Sequence, residues 1–166
     1  MKVLSKQLNS KNCIICGMEN DLGLKASFYN MEGDVVASLF TFKDKHQSYP
    51  GRTHGGMISA LLDELMGRAL WLKHPDTYGV TTTMNITFRK PVPYGEQLKA
   101  KASITSDSPL WFSSKGFIYD KDDNLLAEGS ARYLKLSSEK AFEKGENAHE
   151  EMCYMIDDGI TEIDLP

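Results

Sequence analysis

The sequence predicts an α+β domain: an antiparallel sheet of about six strands wrapped around one long central helix. Three observations carry this expectation. Ile58, Leu61, Leu62, Leu65, Ala69 and Leu72 form a stripe at steps of three and four, the spacing of one helix face. Met57, Ala60, Met66 and Leu70 widen that stripe beyond an amphipathic face, so other structure must cover the helix. The remaining regular segments up to residue 136 read as strands, and a sheet that buries a single helix must curve over it.

In chain order, residues 22–31 (LGLKASFYNM) carry strand formers, and Glu32-Gly33-Asp34 supplies a turn. Residues 35–42 read as the returning strand, with alternation placing Val36, Phe40 and Phe42 on one side. The polar loop KDKHQSYPGRT leads into the helix, which His74-Pro75 ends because proline cannot continue it. Four strand-like runs follow, at 79–90, 96–106, 110–120 and 124–136. Within them Leu98, Ala100, Ala102 and Ile104 alternate with polar partners. Turn residues separate the runs: Pro91 to Gly95, Ser106 to Pro109 and Asp120 to Asn124. Residues 1–136 are therefore expected to form one domain with a CxxC turn near its start. Residues 137–166, rich in Glu, Asp and Lys, read as an acidic, solvated helix and tail.

The 166 residues suffice for one domain with a real core. A net charge of −4, with Lys and Arg scattered, argues against nucleic acid as a partner. No apolar run approaches the roughly 20 residues that span a bilayer. The opening MKVLSKQLNSKNC lacks the apolar centre of a signal peptide, so a cytoplasmic location is expected. Cys13, Cys16 and Cys153 make an odd count, which argues against a disulfide scaffold.

The chemistry concentrates at HGGMISALLDELMG, residues 54–67. Gly55 and Gly56 stand where the helix begins, and its first amides lack intrahelical partners. Bare amides and the helix dipole suit a carbonyl oxygen that becomes an oxyanion, and glycine permits close approach. A glycine-rich cap is the plain alternative. Asp63 lies one turn from both Ser59 and Gly67 on one face. A mid-helix glycine costs roughly 1 kcal/mol against alanine, which suggests that space is needed beside this acid. The alternative for Asp63 is an ion pair to a strand. Glu64 has Arg68 four residues on, an ordinary helix pair. His54 is suited to fixing the loop, with general-base duty as its second reading.

These residues resemble the hotdog-fold acyl-CoA thioesterases of the PaaI-like type, over roughly residues 22–136. The resemblance rests on His54-Gly55-Gly56, Asp63 seven residues after the second glycine, Gly67, and the run VTTTMNITFRKPV. It implies a hotdog fold and hydrolysis of an acyl-CoA or related acyl thioester, with no cofactor. It implies that Asp63 activates water or attacks directly, that the Gly55 amide holds the thioester oxygen, and that Thr81 helps hold the water. His54 completes the expected catalytic set, and Gly56 joins the substrate-binding one. The site is implied to lie between two subunits, in a homodimer or a tetramer. An animal relative carries Asn six residues before the His; Ser48 stands there in this chain, so Ser48, Gln47 or His46 is expected to take its place. Two other classes stay open: an acyl-binding hotdog protein without turnover, and a hotdog hydratase or dehydratase.

Cys13-Ile14-Ile15-Cys16-Gly17 has the spacing of a zinc knuckle and of a redox pair. His149 and Cys153 could complete a four-ligand set with it. The plain alternative, a turn with two small buried thiols and no metal, is the expectation adopted.

Overall fold

The structure is a computed structural model describing residues 1–141 and 148–166, without the side chains of Ala148 and His149. His149, one of the four candidate zinc ligands, thus has its side chain outside the described part. The strands are β1 (Val3–Lys6), β2 (Asn9–Ser10), β3 (Ser27–Met31), β4 (Val35–Phe40), β5 (Thr77–Phe88), β6 (Leu98–Asp107), β7 (Trp111–Tyr119), β8 (Leu125–Ser137) and β9 (Met152–Tyr154). The long helix α1 spans Gly55–Arg68 and runs on into a 3-10 turn, Ala69–Leu72. Seven strands form one sheet in the order β1-β3-β4-β6-β7-β8-β5, and every neighbouring pair is antiparallel.

The expected stripe is the buried face of α1. Ile58, Leu61, Leu62, Leu65 and Met66 are all buried against the inner face of the sheet, among Val36, Ala100, Phe112, Ile118 and Ala131. Two glycines set how closely the helix sits. Gly116 on β7 and Gly129 on β8 are partners in register. A Cβ on Gly116 would meet Met66 Cγ at 2.9 Å, and one on Gly129 would meet Ile86 Cδ1 at 2.7 Å. The pair opens a hollow that the Met66 side chain fills; alanine at Gly116 would press on Met66 and Leu62 of the helix, and alanine at Gly129 on the tips of Ile86 and Met66.

The sheet has one more strand than the sequence suggests. β1 is only four residues long and half exposed, so its alternation carries no signal. The segment after residue 137 also does more than a solvated tail would. β9 pairs with β2, Ile163 is buried, and Tyr29 Oη donates to Asp158 Oδ2 at 2.6 Å.

At the other end of the sheet, among the described residues, β5 pairs with β8 alone and its second edge is open. It is twelve residues long, and Val80 and Phe88 are 46% and 52% exposed. A long, open, partly apolar edge is a template for pairing with another chain.

Candidate active site

The start of α1 is built by His54. Its backbone is extended (φ −64°, ψ 133°), and its Nδ1 accepts the Gly56 amide at 2.9 Å. The ring is therefore the helix cap, the loop-fixing role among those the sequence allowed. A Cβ on Gly56 would lie 3.0 Å from that Nδ1, so a larger residue there would press on the capping ring. With its amide given to His54, Gly56 has no free backbone donor to offer a ligand. The amides of Met57 and Ile58 return to the His54 carbonyl. The Gly55 amide has no partner among the described residues.

His46 likewise has its polar atoms committed within the protein. It is 4% exposed, its Nδ1 accepts the Lys43 amide at 3.1 Å, and its Nε2 donates to the Leu22 carbonyl at 2.8 Å. One ring nitrogen closes the loop on itself and the other ties it to the turn before β3, and the His46 carbonyl accepts the His54 amide. Gln47 and Ser48 are exposed on the same loop; Gln47 Oε1 accepts the hydroxyl of Tyr94 at 2.9 Å.

Asp63 stands two turns further along α1. Thr81 Oγ1 donates to its Oδ1 at 2.8 Å, and Tyr133 Oη reaches the same oxygen at 3.1 Å. Among the described residues no donor reaches Oδ2. Two neutral donors on one oxygen fix the carboxylate and leave the other oxygen to face the groove beside it. Burial, and then the charge of Asp63, push the Tyr133 phenol far above its ordinary range, so it stays a proton donor.

A bulge aims these residues. Thr81 pairs with Tyr133 and Thr83 with Arg132, so Thr82 is an extra residue on β5. Ahead of the bulge Thr81 faces α1; beyond it Met84 and Ile86 pack against the core. One inserted residue thus keeps both halves of β5 turned toward the helix. Tyr133 was not a candidate from sequence, because only the strand register shows that it sits opposite Thr81.

Asp63, Thr81, Tyr133, Gly67, Trp71 and Tyr78 line a groove of about 340 Å³. A Cβ on Gly67 would rest 3.6 Å from Tyr133, an ordinary contact, so Gly67 gives the groove width without being sterically required. The groove continues past Glu64 to Cys13 and Cys16. There the Cys16 thiol is lowered to about 7, first by its hydrogen bond from Cys13. That same bond, with burial and Glu64, pushes Cys13 up.

Gly55 faces a different groove, of about 380 Å³, shared with Ile58, Phe88 and Val92. Eight residues of helix separate it from Asp63, a rise of about 12 Å. The sequence-predicted oxyanion donor and base are therefore on one helix but not in reach of one carbonyl.

The model of the Thioesterase superfamily matches residues 50–127. Mouse acyl-coenzyme A thioesterase THEM4 is 26% identical over 137 residues, 81% of this chain and 58% of the relative. Mouse acyl-coenzyme A thioesterase 13 is 30% identical over 88 residues, 52% of this chain and 63% of the relative. The chain thus spans about three fifths of these curated relatives. The crystal structure of the BH2602 protein from Bacillus halodurans with CoA matches with a TM-score of 0.55 at 27% identity, covering 60% of this chain and 70% of that one. The wrapped helix and the antiparallel sheet are those of a hotdog fold.

Proposed function

We propose that the chain is a hotdog-fold thioesterase that hydrolyses an acyl thioester, an acyl-CoA in the first instance, to free acid and thiol. The observation that carries this reading is the Asp63 carboxylate, held on one oxygen by Thr81 and Tyr133 with its other oxygen open to a groove. The names of the curated relatives and the CoA in the Bacillus halodurans structure support the choice of thiol.

In this mechanism Asp63 Oδ2 takes a proton from a water whose oxygen attacks the thioester carbon. The carbonyl electrons move onto oxygen, where an amide at a helix start stabilises the oxyanion. The intermediate collapses, the C–S bond breaks, and the thiolate leaves as thiol with the proton returned by Asp63.

One subunit does not place Gly55 and Asp63 on the same carbonyl, so we assign the two roles to two copies. The open edge of β5 supports this. Thr81 contacts Asp63, and Phe88 lies 3.4 Å from where a Gly55 Cβ would be. Antiparallel pairing of two β5 edges about a two-fold near Met84 and Asn85 sets Thr81 opposite the partner's Phe88. Each Asp63 then faces the partner's Gly55. The homodimer is the smallest active unit in this reading, and a tetramer would be two of them.

No helix among the described residues is long and apolar enough to cross a membrane. We place the chain in the cytoplasm, where its three free cysteines would stay reduced.

A panel of acyl-CoAs from acetyl to palmitoyl, with an aromatic member and a free-thiol readout, tests the activity. Release of thiol from at least one member, abolished by Asp63→Asn, is expected. Tight acyl-CoA binding without thiol release would make this a binding protein, and hydration of an enoyl-CoA without hydrolysis would make it a hydratase.

A further inference from the structure

We propose that Cys13, Cys16 and Glu64 bind a zinc ion that locks the N-terminal turn onto α1. The three ligand atoms, two Sγ and one carboxylate oxygen, all lie within 4.8 Å of one another. They come from two elements far apart in sequence, the turn before β3 and the middle of α1. Cys13 Sγ lies 3.9 Å from Glu64 Oε2. In a tetrahedral zinc site, ordinary Zn–S and Zn–O lengths put such a pair about 3.6 Å apart. A shift of a few tenths of an ångström brings this pair to that spacing, and water would take the fourth position.

Each sulfur already has the donors that a bound thiolate needs. The amides of Ile15 and Cys16 approach Cys13 Sγ at 3.3 and 3.5 Å. The Ser10 hydroxyl lies 3.3 Å from Cys16 Sγ. Such outer contacts orient ligands and stabilise their charge. The turn is also fixed in shape: a Cβ on Gly17 would fall 2.3 Å from the Cys13 carbonyl oxygen. No side chain fits after Cys16 in this conformation.

The charges balance. Two thiolates and a carboxylate carry three negative charges. The ion supplies two positive charges, and Arg68, whose Nε donates to Glu64 Oε1 at 2.8 Å, supplies the third. That guanidinium is 2% exposed and lies over the rings of Phe28 and Trp71, so its charge stays in place. Two thiols with one carboxylate suit zinc better than a hard cation such as magnesium. Binding replaces two thiol protons, which go to solvent. Cys153 is exposed and lies outside the cluster, so the set differs from the Cys-Cys-His-Cys one that the sequence offers.

The test is metal analysis of the full chain, purified with reductant and dialysed against equimolar zinc. About one zinc per chain is expected, and cobalt in its place should give the thiolate charge-transfer band and intense visible bands of a tetrahedral site. Cys13→Ser and Cys16→Ser should lose the metal, and Cys153→Ser should keep it. Ser10→Ala, outside the ligand set, should weaken zinc by about 10–100-fold in competition with a chromophoric chelator. Zinc-free protein after dialysis, a Cys13–Cys16 disulfide in the reduced preparation, an octahedral cobalt spectrum without the thiolate band, or metal loss in Cys153→Ser would each overturn the proposal. Undiminished zinc affinity in Glu64→Gln would remove the carboxylate from the site and overturn it as well.

Discussion

Thr81 Oγ1 donates to Asp63 Oδ1 across 2.8 Å, and this one hydrogen bond ties the open edge strand to the centre of the buried helix. Strand and helix are brought to that distance by the bulge at Thr82, which turns Thr81 inward. Asp63→Asn keeps the shape and both acceptor contacts but removes the base. Steady-state turnover should fall by about 10²–10⁴-fold with the melting temperature nearly unchanged. Turnover within threefold of the parent would assign the base elsewhere.

The neighbouring carboxylate should behave differently. Glu64 pairs with a buried Arg68 rather than with a solvated one, because the N-terminal segment covers the guanidinium: Gln7 Oε1 and the Leu8 carbonyl accept from its Nη1 at 3.2 and 3.0 Å. In metal-free protein, Glu64→Ala should therefore cost about 1–3 kcal/mol of stability, read by urea unfolding. Its kcat should change far less than that of Asp63→Asn. Equal loss of activity in the two variants would contradict the separation of roles.

Thr81→Val and Tyr133→Phe each remove one donor from Asp63 Oδ1. A hydrogen bond to a charged group is worth about 1.5–3 kcal/mol, so each should lower kcat by roughly 10–100-fold. The double variant should lose less than the product of the two, because both donors hold the same oxygen. Independent, fully multiplicative losses would mean that the two hydroxyls act on different atoms.

Stability should fall on the alkaline side. The phenols of Tyr133 and Tyr29 are raised above their unfolded value of 10.0, both chiefly by burial. A raised folded value means full stabilisation below about pH 10 and progressive loss above it, as the unfolded chain gains phenolate that the folded one refuses. Melting temperature should drop from about pH 10 upward, less steeply in Tyr133→Phe. Phenolate absorbance from both residues appearing before unfolding would contradict this.

Much of the framework was legible in the chain. The i, i+3, i+4 stripe found α1, and the turn residues found six of the strands, because each signal is local. Asp63 stood out as a charge on an otherwise buried helix, and the role proposed for it comes from the resemblance around His54-Gly55-Gly56. What escaped depends on register and on distant segments. Tyr133 reaches Asp63 only through β5–β8 pairing, and β1 is too short to show a period. The cover over Arg68 comes from residues about 60 positions away, which no local pattern announces. His46 and Gly56 looked like site residues because their types suit a site; their hydrogen bonds commit them to the loop and the cap.

The open edge of β5 predicts that one added charge can separate the subunits. Asn85 is exposed beside the proposed two-fold axis, so Asn85→Lys should set two lysines against each other without disturbing the monomer core. Light scattering should show a monomer with an unchanged circular dichroism spectrum and no turnover. An active monomer would place the whole site in one chain.

The shared site itself is tested most directly by mixing two inactive variants. Asp63→Asn lacks the base. Gly55→Pro lacks the oxyanion amide yet should fold, because proline suits the first helical position and His54 already has the extended backbone that must precede it. In a mixed dimer, one site pairs the Asp63 of the proline variant with the Gly55 of its Asp63→Asn partner and is intact. After subunit exchange at equal concentrations, turnover should recover to about a quarter of the parent value, since about half the dimers are mixed and each has one working site. No recovery, in a mixture shown by mass spectrometry to contain mixed dimers, would contradict a site built from two copies.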